Sequence, residues 1–327
     1  MQLVVVVLVI VMSMAGCDRD APSTAVAQAP VAGQVVEKRL PQVAQVPVPA
    51  GSFVRGSNRP DDPEMRQQYG FPLPLFLDEH PQATIYLDGF MIDTYEVTNV
   101  QYKAYVEQTG QMLPFSWMNN GYALDHAHLQ SLDVERLRSL AADNFQLDID
   151  AREMDKPALI AAMQAQQAVL DRLPVSNVSW FAAKAYCEWR NARLPTEAEW
   201  EKAARGPDGL EYPWGNQWDP RITNTGDDGE WEQGIAPVGS YPDNVSPYGA
   251  YDMSGNVWEW TADRYQPYEN SDYRSPAFGD TRRVLRGGGG GEGHYAISYF
   301  FRGATRQFSE PEMESEDVGF RCVSDLR

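Results

Sequence analysis

The sequence predicts an α+β domain, irregular and rich in loops, interrupted by a helical insertion. Three observations carry this expectation. The 327-residue chain holds 26 Gly and 23 Pro, which punctuate it too often for long regular elements. Its helices are marked by start and stop signals: Thr98 opens one segment and Gly110 closes it, and Thr196 and Glu199 have capping-box spacing with Gly206 beyond. Hydrophobic residues make up 43% of the chain, with 9 Trp and 16 Tyr, enough for a sizeable core.

The elements follow in order. Leu3 to Met12 is an apolar run too short to cross a bilayer, and reads as a targeting segment. It ends in Ser13-Met14-Ala15-Gly16-Cys17, which resembles a bacterial lipobox, where the cysteine is lipidated and becomes the new N-terminus. An ordinary cleaved signal peptide is the alternative. Residues 1–16 are then a signal peptide, and residues 17–46 a lipidated Cys17 and a disordered tether rich in Ala, Pro, Val and Gln. Residues 47–327 form the domain. Asp18 resembles the signal that keeps a lipoprotein in the inner membrane. The chain is therefore expected to be exported and anchored by lipid to a bacterial membrane, facing the periplasm, with an envelope protein as its partner.

Within the domain, Gly51 to Val54 reads as a strand entering a turn at Gly56, and Ala83 to Met91 as a second strand. Thr98 caps a helix running through about Gln108. Residues 111–172 read as a helical insertion, with helices over Ser131 to Ala142 and Lys156 to Leu173. Asp155 can cap the second, and Pro157 fits its first turn. The pair His126 and His128 reads as part of an exposed polar loop, with metal ligation as the alternative. Ser179 caps a helix from Trp180 to Arg190, and Thr196 opens the next. Beyond Gly206 the chain reads as loops and short strands, without an internal repeat.

The net charge of −19 repels phosphate and anionic headgroups, so nucleic-acid binding is not expected. Of three cysteines, Cys187 and Cys322 remain once Cys17 carries lipid. An oxidising compartment makes a disulfide between them the expectation, and two buried thiols the alternative.

Several short motifs occur in one order: Val175-Ser176-Asn177-Val178-Ser179-Trp180, Arg193-Leu194-Pro195-Thr196-Glu197-Ala198-Glu199-Trp200-Glu201, and Tyr212-Pro213-Trp214-Gly215-Asn216. Ala236-Pro237-Val238-Gly239-Ser240 and Gly255-Asn256-Val257-Trp258-Glu259-Trp260-Thr261 follow, then Arg286-Gly287-Gly288 and Gly319-Phe320-Arg321-Cys322. This ordered set resembles the formylglycine-generating enzymes, the sulfatase-modifying-factor family. It covers roughly residues 47–323 apart from the insertion. The resemblance implies that family's fold, a variant of the C-type-lectin-like architecture. It also implies the pairing of Cys187 with Cys322, while a second family disulfide is lost at both ends, at Ala204 and Gly303.

The resemblance further implies two calcium sites. In the first, Asp252 and Glu259 ligate through side chains, and Gly255 and Val257 through carbonyls. The residues suit this reading, because a hard cation takes oxygens from carboxylates and from carbonyls of an irregular loop. The second would use Asn224, the Thr225 carbonyl, Glu230 or Asp228, and the Glu232 carbonyl. Carboxylates that only brace loop backbone are the alternative at both.

The family's copper-binding cysteines fall at Gly293 and Ser298, and the chain has no cysteine between 188 and 321. Copper(I) selects thiolate, so neither copper nor formylglycine generation is expected. In their place stand Gly287 to Gly291, Glu292, Gly293 and His294. A glycine run lets backbone approach closely or adopt positive φ. Glu292 and His294 could serve as an acid/base pair or as ligands of iron or another redox metal, as some thiol-free relatives in ergothioneine synthesis and siderophore maturation suggest. A loop Glu and His without a ligand is the alternative. Tyr299, Phe300 and Phe301 read as core strand residues, and Arg302 and Arg306 as partners of the many acids. Two functions stand: a non-catalytic binding or scaffold lipoprotein, and a metal-dependent oxidoreductase centred on Glu292 and His294.

Overall fold

A computed structural model describes residues 43–227, 234–290 and 297–326. The lipidation candidate Cys17, its signal and tether, and Asp228, Glu230, Glu232, Glu292, Gly293 and His294 lie outside the described residues.

Three small sheets surround one buried helix. The first is ordered β1 (Gln45–Val48), β4 (Phe90–Asp93), β9 (Val323–Asp325), so the two ends of the domain meet on β4. The second is the antiparallel pair β2 (Gly51–Arg55) and β3 (Ala83–Leu87), with Gly51 opposite Leu87. The third is ordered β7 (Gln307–Ser309), β6 (Arg283–Arg286), β5 (Trp258–Arg264), β8 (Val318–Gly319), and only its β5–β8 pair is parallel. The first strand thus begins at Gln45, two residues before the expected domain boundary at Pro47. The single strand expected over Ala83 to Met91 is two strands in different sheets. Gly89 makes the break, because a Cβ there would lie 2.4 Å from the Leu326 side chain and 3.0 Å from the Ala50 amide.

Helices α1 (Pro63–Tyr69) and α2 (Asn99–Thr109) both end on a left-handed glycine, at Gly70 and Gly110. The insertion contributes α3 (Phe115–Asn119), α4 (His126–Ser131), α5 (Val134–Asp143) and α6 (Lys156–Leu170). Asp125, Asp133 and Asp155 each cap the helix that follows, so the helix expected from Ser131 begins at Val134, and α6 ends at Leu170. Leu129, Leu137, Leu140, Phe145, Leu159, Ile160 and Met163 form a core belonging to the insertion alone.

Helices α7 (Trp180–Trp189) and α8 (Glu197–Arg205) carry the centre. The capping box of Thr196 and Glu199 is formed as expected. Every residue of α8 except Ala198 is buried, charged ones included. Glu201 accepts from the Gly56 amide at 2.7 Å, from Arg286 Nη2 at 2.9 Å, and from Arg205. Arg306 donates to both Glu197 oxygens at 2.6 and 3.0 Å, and Arg302 to Glu79 at 2.6 Å. The two arginines pair with acids as expected. Tyr299 and Phe301 are buried, but residues 298–302 form turns rather than a strand.

Cys187 of α7 is joined to Cys322 by a disulfide with Cα atoms 5.7 Å apart. The closed loop spans 135 residues, for which chain entropy alone gives about 4–5 kcal/mol. A Cβ at Gly303 would lie 2.5 Å from the side chain of Arg205, next to Ala204, so the two positions matched to the lost disulfide are close together.

Candidate functional site

The loop before β5 is built from left-handed residues. Asp252, Gly255 and Asn256 have φ of 56°, 82° and 67°. Among non-glycine residues, Asp and Asn adopt this region most readily. A Cβ at Gly255 would lie 2.1 Å from Thr223 Oγ1, so glycine is required there. Asn256 fastens the loop to four segments. Its Nδ2 donates to Glu96 Oε1 at 3.1 Å and to the Ala236 carbonyl at 3.3 Å. Its Oδ1 accepts from the Ala236 amide at 2.8 Å and from Asn224 Nδ2 at 3.1 Å. Its carbonyl accepts from the Gly290 amide at 2.9 Å.

Three carboxylates are buried around this loop: Glu96, Asp252 and Glu259. Arg321 is the cation among them. It grips Glu259 through Nε and Nη2, each at 2.7 Å, and Trp200 Nε1 donates to the same carboxylate at 3.0 Å. Glu96 Oε2 is 3.8 Å from Arg321 and has no hydrogen-bond partner. Asp252 Oδ2 accepts from the Gly239 amide at 2.7 Å. Burial, reinforced by Asp252, holds the Glu96 carboxyl well above the usual carboxylate range. Burial also pushes Asp252 up to about 6.

Three buried acids face one guanidinium, a divalent cation would favour their ionised forms, and the Glu96 oxygen is an orphaned acceptor among the described residues. Among the described residues the Gly255 and Val257 carbonyls accept no hydrogen bond. No group of three His, Cys, Asp or Glu side chains is gathered to hold a metal among the described residues. The donor chemistry here is instead two carboxylates with loop carbonyls, which suits a hard cation. Arg321 was named in the sequence only as part of a motif, and Glu96 was not singled out. An acid two residues before the Thr98 cap was the available signal for Glu96.

The second expected calcium site is described only in part. Asn224 Oδ1 accepts from the Gly226 amide at 3.0 Å, and its Nδ2 donates to the Gly234 carbonyl at 2.9 Å. Its carboxamide therefore braces the loop. Thr225 is buried beside it, and Thr225 Oγ1 is 3.4 Å from the Asp227 amide.

The glycine run is explained by packing. Gly287 and Gly288 have φ of 104° and 90°. A Cβ at Gly289 would lie 2.8 Å from Asp317 Oδ2 and from the Trp258 ring. At Gly290 it would lie 3.0 Å from Asn224 Nδ2 and from the Gly234 carbonyl. Residues 287–290 are thus pressed against the 252–259 loop and Asn224. Ser298 is half-buried within a turn. Both described cysteines are joined to one another.

His126 and His128 open helix α4 instead of lying in a loop. The two His126 ring nitrogens lie 2.7 and 2.9 Å from the carboxamide nitrogens of Gln130 and Gln164.

Comparison with known proteins agrees with this geometry. The family described as "Sulfatase-modifying factor enzyme 1-like domain" matches residues 31–326. The formylglycine-generating enzyme of Mus musculus is 33% identical over 302 residues, covering 86% of this chain and 74% of that protein. The "Inactive C-alpha-formylglycine-generating enzyme 2" of Bos taurus is also 33% identical over 302 residues, covering 86% of this chain and 88% of that protein. The solved structure of PvdO from Pseudomonas aeruginosa superposes with a TM-score of 0.55 at 24% identity, covering 86% of this chain and 94% of that one. That likeness concerns the fold.

Proposed function

The chain belongs to the sulfatase-modifying factor family of the formylglycine-generating enzymes, and from that premise we propose that it is an exported, lipid-anchored binding module that keeps the fold without the thiol chemistry. The observation that carries this reading is the missing pair of copper-binding thiols. No cysteine lies between 188 and 321, and Cys187 and Cys322 are consumed in a disulfide. Thiolate is the ligand that copper(I) selects, and neither glycine nor serine replaces it. Identity does not argue the other way, since a relative named inactive and one named for the activity are both 33% identical.

The residues around the 252–259 loop support calcium as a structural ion. Asp252 and Glu259 would hold it with the Gly255 and Val257 carbonyls, and it would supply the positive charge that Arg321 alone does not. The apolar run before Cys17 supports export and anchoring, and with it an envelope partner.

The test is elemental analysis of the full chain purified without chelator or affinity metal. Calcium, with neither copper nor iron near one equivalent, is the expected result. Iron or copper near one equivalent, lost in His294→Ala, would replace this reading with an oxidoreductase centred on Glu292 and His294. Anchoring is tested separately: Cys17→Ser should move the protein from the membrane fraction to the soluble one.

A further inference from the structure

We infer that the helical insertion builds, against the domain, a binding cleft for a neutral oligosaccharide. This rests on the reading of the chain as a binding module and gives that module a ligand class. The cleft has a volume of about 400 Å³ and lies between α3, α6 and the turn after α5 on one side, and the 173–177 segment on the other. Side-chain amides share its lining with apolar residues, and among the amides are Asn119, Asn144, Gln146, Gln166 and Asn177. Among the described residues it holds no Lys, Arg or His, and its one acid there is Glu316. A phosphate or carboxylate would find no cation there, and the chain's charge of −19 would repel it.

The amides are accessible, with Asn119 and Gln146 exposed and Gln166 half-buried. The side chains of Asn119, Gln146 and Gln166 make no hydrogen bond with any described residue. Asn177 Nδ2 has no hydrogen-bond partner among the described residues. Gln146 and Asn177 also have φ of 50° and 55°, a left-handed conformation costing about 1–2 kcal/mol per residue that persists where the surroundings impose it. The floor is fixed: Asn99 donates to the Leu170 carbonyl at 2.9 Å and accepts from Trp117 Nε1 at 2.9 Å. Asn99 thereby ties the insertion to the domain.

A carboxamide presents a donor and an acceptor in one plane, which matches adjacent hydroxyls of a pyranose. Phe115 stands at the mouth, 60% exposed, and offers a flat apolar surface to the C–H face of such a ring. A peptide is less well served. The lining comes from helices and loops, so no free strand edge is present to pair with an extended backbone.

The full chain should be screened on an array of neutral and charged glycans, and in parallel against a random dodecapeptide library. The best neutral glycan is then titrated by calorimetry against wild type, Asn144→Leu/Gln166→Leu and Phe115→Ala. The expected result is binding of a neutral glycan, weakened at least about tenfold in the double variant by the loss of two hydrogen bonds. Phe115→Ala should weaken it with an unchanged melting curve, and this exposed position decides the matter if the double variant does not fold. Absence of any neutral glycan ligand, binding unchanged in Phe115→Ala, or binding of peptides alone overturns the proposal. Those outcomes leave the binding-module reading standing so long as the metal analysis finds calcium alone, whereas a redox metal overturns that reading whatever the array shows.

Discussion

Asp78 accepts a hydrogen bond from the Tyr265 hydroxyl at 2.8 Å, and burial pushes its carboxyl up to about 6. A carboxyl with a raised folded pKa contributes stability that is complete below its unfolded value and is lost as pH rises through the folded one. For Asp78 that window runs from about 4 to about 6, and a shift of two units corresponds to about 3 kcal/mol. Asp78→Asn should therefore remove this pH dependence: urea unfolding at pH 4.5 and 7 should differ less in the variant than in wild type, with the gain at pH 7. Arg321 poses the opposite case. It neutralises Glu259 and stands 3.8 Å from Glu96, all three buried. Arg321→Met should cost about 3–5 kcal/mol, because it strands two buried carboxylates. A urea midpoint near wild type would mean that another cation already compensates them.

Helix α8 shows how an element can be read locally and misjudged globally. Its capping box and glycine stop were visible in Thr196, Glu199 and Gly206. Its sequence of Glu, Lys and Arg looks like a solvated face, yet Glu197, Glu201, Lys202 and Arg205 are all buried. Their partners, Arg286, Arg306 and the carbonyls of Pro49 and Gly51, come from distant segments. The insertion behaves differently, since its core is its own. Met163→Ala should cost about 2–5 kcal/mol by cavity formation, and the loss should be local. Hydrogen exchange should quicken in α5 and α6 while amides of β5 and β6 keep their protection. Equal loss in both regions would show that insertion and domain unfold as one unit.

At the scale of the whole molecule, the Cys187–Cys322 disulfide joins α7 to the segment that leads into β9, and β9 pairs with β4 near the start of the domain. Replacing both cysteines by serine should lower stability by about 2–5 kcal/mol in urea unfolding, the usual cost for a native disulfide. Chelation with EGTA should lower the melting temperature if calcium compensates the carboxylates around Asp252, and Asp252→Asn should blunt that effect. A melting curve indifferent to chelator would leave those acids as loop braces alone.

The sequence by itself determined the helix caps at Thr98, Asp155, Ser179 and Thr196, the loop-rich class, the family and the absent thiols. Each of these lives in neighbouring residues or in bare composition: a cap needs only the next three residues, and a missing cysteine needs no fold at all. Tertiary structure decided what the charged and glycine residues are for. The Asn256 amide meets Glu96 across 160 positions, and Arg321 rather than solvent faces Glu259. Gly289 and Gly290 are glycine because Asp317, Trp258 and Asn224 press against them. Those contacts join segments far apart along the chain, and which acid meets which base is set only when the sheets and loops close around α8.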